Sequence, residues 1–228
     1  MTQTNLALDT STDEMAGRRA RWPLYGAAAG ALGFVATMLL SGIVVEDNVT
    51  FSPRLFAALD PLVFRLSMLA GYATVVLLLV FAATWRRHVE RRLPDSTAAH
   101  LVPLGMLASA AGLTYGYGWK GALGLYLPGG ANGGMYDDQG LYVYYLLNDF
   151  GSFIGWLGVV AAVGAVAWMG LRERTVSRWL GVVALLPVLQ TTLMLVGLGV
   201  PGVPGLLAHL WLVVTGLGLA FGRSTIVR

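Results

Sequence analysis

Apolar residues in this chain come in six runs, at about 23–45, 61–85, 100–118, 141–170, 178–199 and 203–222, separated by polar segments. Runs near 20 residues without period-two alternation predict transmembrane helices rather than strands. The expected fold is all-α, an integral membrane six-helix bundle covering 22–222. A disordered cytoplasmic tail is expected at 1–21 and a short cytoplasmic tail at 223–228. The first run is longer than a signal-peptide core and no small-residue cleavage site closes it, so it reads as a retained helix. Small residues recur four apart within the runs, as Gly26/Gly30, Ala29/Gly33, Gly112/Gly116 and Gly151/Gly155. Such stripes let helices approach closely. Pro187 predicts a kink in the fifth run.

The run at 142–170 carries an acid, Asp149, near its entrance, and the other runs are expected to pack around it. Before it lies the longest polar loop, with the sequence PGGANGGMYDDQG at 128–140. Its Pro-Gly-Gly and Asn-Gly-Gly triplets form turns readily and predict a mobile lid.

Composition narrows the class. The 228 residues are 56% hydrophobic and 12% charged, and mean hydropathy is +0.67. That leaves no separate soluble domain large enough to fold. There are no cysteines, which removes disulfides, thiolate metal sites and cysteine nucleophiles. The basic residues are fourteen arginines and one lysine, Lys120. Twelve of these fifteen fall in alternate segments: near 18–21, 86–92, 172–178 and 223–228. The positive-inside rule then places both termini in the cytoplasm, with the chain multi-pass in the plasma membrane. The same spread of arginines among loop edges argues against nucleic acid as a partner, despite a formal charge of +3.

With Trp22, Trp85, Trp168 and Trp179 as anchors at inner ends, helix rise gives depth. Asp149 falls about 28 Å from Trp168 and Arg65 about 30 Å from Trp85, which puts both at the outer edge of a hydrocarbon core about 30 Å thick. Ser41 is expected there too. One layer lower come His209, Tyr115 and Thr37. Gln190 lies near the midplane, followed by Thr191 and Thr192. Polar groups inside spans are expensive and normally face protein or water. The expectation is an outward-opening cup lined by Asp149, Arg65, His209, Gln190, Tyr115 and Ser152, floored by Gln190, with an Arg65–Asp149 pair at its mouth.

Simpler readings stand beside each residue. Charges at the headgroup level snorkel. Tyr126, Tyr142, Tyr144 and Tyr145 make an outer aromatic belt. Gln190 and the threonines suit bonds between helices. Asp137 and Asp138 read as a solvated pair with a weak capacity for a cation. No metalloprotease, nucleophile-elbow, P-loop or prenyl-diphosphate motif occurs, and no cofactor or metal is expected. The segments NDFGSFIGWLGVVAAVGAVAW (148–168), LRERTVSRWLGVVALL (171–186) and LWLVVTGLGLAFGR (210–223) resemble uncharacterised small multi-span membrane proteins of GC-rich bacteria, a resemblance that carries no activity.

Three functions follow in order. The first is a non-enzymatic ligand- or lipid-binding protein or accessory subunit, whose partners beyond the bilayer are a small molecule, a lipid or another membrane protein. The second is a small transporter or channel, with Pro187 and Gln190 marking a broken helix. The third is an enzyme acting on a lipid at the outer interface, with His209 and Asp149 as acid and base.

Overall fold

Residues 20–42, 56–222 and 224–227 are described by the structure, a computed structural model, apart from the side chains of Asp149 and Val227. Their regular structure is entirely helical. Helix α1 is Leu24–Phe34 and continues as a π-helical turn at Val35–Leu39. Helices α2 and α3 are Pro61–His88 and Thr97–Tyr126. Helices α4 and α5, Asp138–Ile154 and Leu157–Trp168, run on into a second π-helical turn at Met169–Glu173. Helices α6 and α7 are Arg178–Leu198 and Pro204–Phe221. Five stretches are long and apolar enough to cross a membrane: Pro61–Arg92, Thr97–Tyr126, Asp138–Glu173, Arg178–Leu198 and Pro204–Phe221. The first apolar run is shorter, Leu24–Leu39. The expected N-terminal tail lies outside the described residues, except for Ala20 and Arg21.

Capping side chains set the helix starts. Asp60 accepts from the Leu62 amide at 2.9 Å, with Pro61 at the first helical position. Ser96 accepts from the Ala99 amide at 3.1 Å. Asp137, exposed as expected, also accepts from the Gly140 amide at 2.9 Å and so starts α4. Each satisfies a backbone donor that the first helical turn leaves free. Helix α6 stops at Gly199, whose φ of 67° suits a residue without a side chain.

Helix α3 runs past the expected boundary at 118, because the residues after it still have a core to enter. Lys120, Leu123 and Gly124 are buried, and Gly124 lies against Phe64 of α2. The loop that remains is 127–137. It is wound through successive turns, with Gly130 N bonded to Leu127 O, Asn132 N to Leu125 O and Gly133 N to Gly130 O. The rings of Tyr126, Tyr136 and Tyr144 cluster at centroid distances of 4.7, 5.5 and 5.7 Å. The segment expected to be a mobile lid is wound into turns that join the ends of α3 and α4.

Helix α3 is the hub, in contact with α2, α4 and α5, while α1 lies between α2 and α7, and α6 sits at the edge on α5 and α7. The small-residue stripes act in pairs. Gly105 faces Gly158, Gly112 faces Gly155 and Gly116 faces Gly151, so the α3 backbone touches that of α4 and α5. A side chain on Gly30 would strike the His209 carbonyl of α7.

Several chain segments meet at one end of the bundle. The Trp22 ring stacks on His88 at 5.4 Å. Ser96 donates to the Glu173 carboxylate at 2.8 and 2.9 Å. Residues 224–226 dock there: Ser224 and Ile226 are buried, and Thr225 donates to the Thr175 carbonyl at 2.7 Å. Two of the supposed membrane anchors belong to this packing. Trp22 and Trp85 are buried around Phe81, and the Trp85 indole donates to the Ala99 carbonyl at 2.9 Å. Trp168 and Trp179 are exposed, as anchors are.

Candidate functional site

The apolar run 141–170 is not one helix. Helix α4 ends at Ile154 and α5 begins at Leu157, with Gly155 and Trp156 forming the break. The Trp156 amide bonds three residues back to Phe153 at 3.3 Å. A helix that starts inside the bundle presents free N–H groups. One of them, Val159 N, is satisfied by Ser109 Oγ of α3 at 2.7 Å, so the cap for α5 comes from a neighbouring helix.

Trp156 is fully buried and links three elements. Gly33 of α1 leaves room for its ring. Its Nε1 donates to Thr37 Oγ1 at 3.2 Å, and Thr37 Oγ1 in turn lies 2.8 Å from the Tyr117 hydroxyl. A turn along α3 from Tyr117 stands Lys120. The sequence reading put this residue in an outer loop, but its side chain is fully buried. Its Nζ donates to the carbonyls of Ala36, Leu40 and Ser41 at 3.1, 3.1 and 3.3 Å. The end of a helix carries unsatisfied carbonyls and partial negative charge. A compact ammonium with three donors fits this three-carbonyl cup better than a planar guanidinium would. Lys120 thus closes α1, and Ser67 adds a 2.7 Å bond to the Ala36 carbonyl. The signal for it in the sequence was the single lysine among fourteen arginines.

Beyond this satisfied network lies an unsatisfied one. Asn148, Ser152 and His209 are fully buried. Neither side-chain atom of Asn148, nor Ser152 Oγ, nor either ring nitrogen of His209 has a hydrogen-bond partner among the described residues. Positions 148, 152 and 156 follow one another at i, i+4 on one face of α4 and the break. The turn before α7 and the start of α7 pack along α4: Gly202 lies against Phe150 and Gly205 against Phe153. One turn further, the His209 ring meets Trp156 edge-on at 5.6 Å and Phe34 at 5.1 Å. An unsatisfied buried polar group costs about 1–3 kcal/mol. Two such residues one turn apart on α4, and a third on α7 against Trp156, are groups that a hydrogen-bonding guest would satisfy.

No family model, curated protein or solved structure matches this chain.

The expected cup is brought together only in part. Ser152 and His209 share the interior. Tyr115 is 68% exposed and packs on Trp119 at 6.3 Å, because the inward face of α3 is that of Leu113, Gly116, Tyr117 and Lys120. Arg65 is exposed on the outer side of α2. Asp149 lies in α4, but its side chain, and with it the Arg65–Asp149 pair, is outside the described residues. Gln190 lies on α6, which packs on α5 and α7. Helix α7 turns Gly216 toward Ala27 of α1, as it does the His209 backbone toward Gly30. It turns Gly218 toward Trp179 and Leu180 of α6, and Trp211 and Thr215 share that second face by spacing. Gln190 and Thr191 stand on α6. Gln190 Nε2 approaches Met194 Sδ at 3.3 Å, while Gln190 Oε1, Thr191 Oγ1, Trp211 Nε1 and Thr215 Oγ1 have no partner among the described residues. Asn148, absent from the expected cup, is fully buried. Its i, i+4 relation to Ser152 was the available sign.

Proposed function

We propose that this chain is a six-span protein of the plasma membrane with both termini in the cytoplasm. It binds a small, uncharged, hydrogen-bonding molecule in the outer half of its interior and does not transform it. The observation that carries this reading is the set of buried, unpartnered polar atoms on Asn148, Ser152 and His209 beside the break at Gly155–Trp156. They offer donors and acceptors between aromatic walls from Phe34 and Trp156. The charge of Lys120 is taken up by three carbonyls, which leaves little to attract an anion there. The gathering of arginine-rich segments at the Trp22–His88 end supports the orientation.

The absence of cysteine makes the test clean. Single cysteines at Asn148, Ser152 and Val163 are exposed in intact cells to a membrane-impermeant methanethiosulfonate. Cysteines at 148 and 152 are expected to react, and the one at the fully buried Val163 to stay silent. If all three are equally silent, the interior is packed solid and the reading fails.

A transporter is the second reading, favoured by the broken helix, because discontinuous spans often frame substrate sites. Beneath the break, however, the core is formed by Leu78, Val102, Met106, Val159, Val163 and Val166, which favours a closed site over a path. A cysteine at Met106 that reacts from the outside would reverse that order.

A further inference from the structure

A groove of about 670 Å³ runs along the outer side of the α2–α3 seam, under the loop at 129–131. That volume falls within the roughly 300–1,000 Å³ usual for ligand sites. Leu62 and Met68 of α2 and Ala122 and Leu125 of α3 make its apolar walls. Gly121 keeps it open, since a side chain there would strike Met68. Among the described residues, Arg65 is the one charged side chain in the lining. It has no ion pair among the described residues.

Two features define what fits. Leu62, Leu66, Leu69 and Leu125 are exposed around the groove, so its mouth faces hydrocarbon and not water. Arg65 also lies about 32 Å along α2 from Arg86 at 1.5 Å per residue, close to the hydrocarbon thickness of about 30 Å. With Arg86 at the basic end, Arg65 stands at the phosphate level of the opposite leaflet. A cation at that depth, with no carboxylate paired to it among the described residues, is complemented by a lipid anion.

We infer that this groove is a binding site for one anionic glycerophospholipid of the outer leaflet. Its phosphate pairs with Arg65 and an acyl chain lies along Met68, Gly121 and Ala122. The site is separate from the Ser152–His209 interior and does not depend on the function proposed for it.

The test uses the full-length protein in nanodiscs of phosphatidylcholine containing one-fifth phosphatidylglycerol. The lipid retained after transfer to detergent is counted by native mass spectrometry. Wild-type protein is expected to hold one phosphatidylglycerol in at least tenfold preference over phosphatidylcholine. Arg65→Gln is expected to lose that preference and Arg65→Glu to reverse it, while Ala122→Trp, which fills the groove, retains neither lipid. His209→Ala is expected to behave as wild type. Arg65→Gln and Arg65→Glu sit on an exposed position and so keep the test open if the tryptophan variant fails to fold. Equal retention of phosphatidylglycerol by wild type and both Arg65 variants would mean annular contact only and overturn the inference.

Discussion

The Lys120 ammonium lies 3.1 Å from the carbonyl oxygen of Ala36, 84 residues earlier in the chain. That bond explains why the first apolar run stops being a helix while still inside the bundle. The run 23–45 has the composition to continue, but α1 loosens into a π turn at Val35–Leu39, and its last carbonyls turn to the ammonium. One charge on α3 thereby fixes the end of α1.

Lys120→Met should then be strongly destabilising. It leaves the partly buried carbonyls of Leu40 and Ser41 without their donor, while Ala36 keeps its bond from Ser67, a loss of about 3 kcal/mol or more, since hydrogen bonds to charged groups contribute about 1.5–3 kcal/mol. Lys120→Arg should rescue little, because the planar fork is too large for the same cup. Thermal melting of the detergent-solubilised protein reads both. A Lys120→Met midpoint equal to wild type would show that the contact does not hold α1 in place.

The helical class and the glycine stripes were legible in the sequence because both rest on local spacing. A membrane-length apolar run needs no knowledge of its neighbours, and neither does a small residue every fourth position. Lys120 was misplaced because its partners are remote. Beside Trp119, before a Gly-rich loop, a lysine looks like the end of a span until the carbonyls of α1 are in view. Trp22 and Trp85 were misread for a related reason. An interfacial anchor and a core ring at a helix end have the same sequence, and only the stacking on Phe81 tells them apart. Tyr115 and Arg65 sit at plausible depths, but depth does not fix direction. Ser152 and His209 were reached from the sequence because a polar residue inside an apolar run is rare enough to single out.

The paired glycines make a differential prediction. Gly116 faces the Gly151 backbone, which has nowhere to move, whereas Gly197 in α6 has nothing within 4 Å of where a side chain would begin. Gly116→Ala should therefore destabilise by about 1–3 kcal/mol, as overpacking does. Gly197→Ala should be neutral or stabilise by up to about 1 kcal/mol, the difference in helix propensity. Melting midpoints of the two variants in one detergent decide the matter. Equal losses would mean that α3 and α4 are not in backbone contact.

The last prediction sets Thr37 against His209, two buried polar residues that both sit beside Trp156. Thr37 is bonded to Trp156 and Tyr117, so Thr37→Val leaves an indole N–H without its acceptor and should cost about 1–3 kcal/mol. Both ring nitrogens of His209 have no partner among the described residues, so His209→Leu removes a penalty instead of creating one. The unliganded protein should melt at the same temperature or higher in that variant, while a cysteine at Ser152 in the same background should react more slowly as the apolar side chain closes the space. Stability gained where binding is lost is the pattern of a residue kept for function. If His209→Leu melts as low as Thr37→Val, the imidazole is already holding the fold together, and the interior needs no guest to explain it.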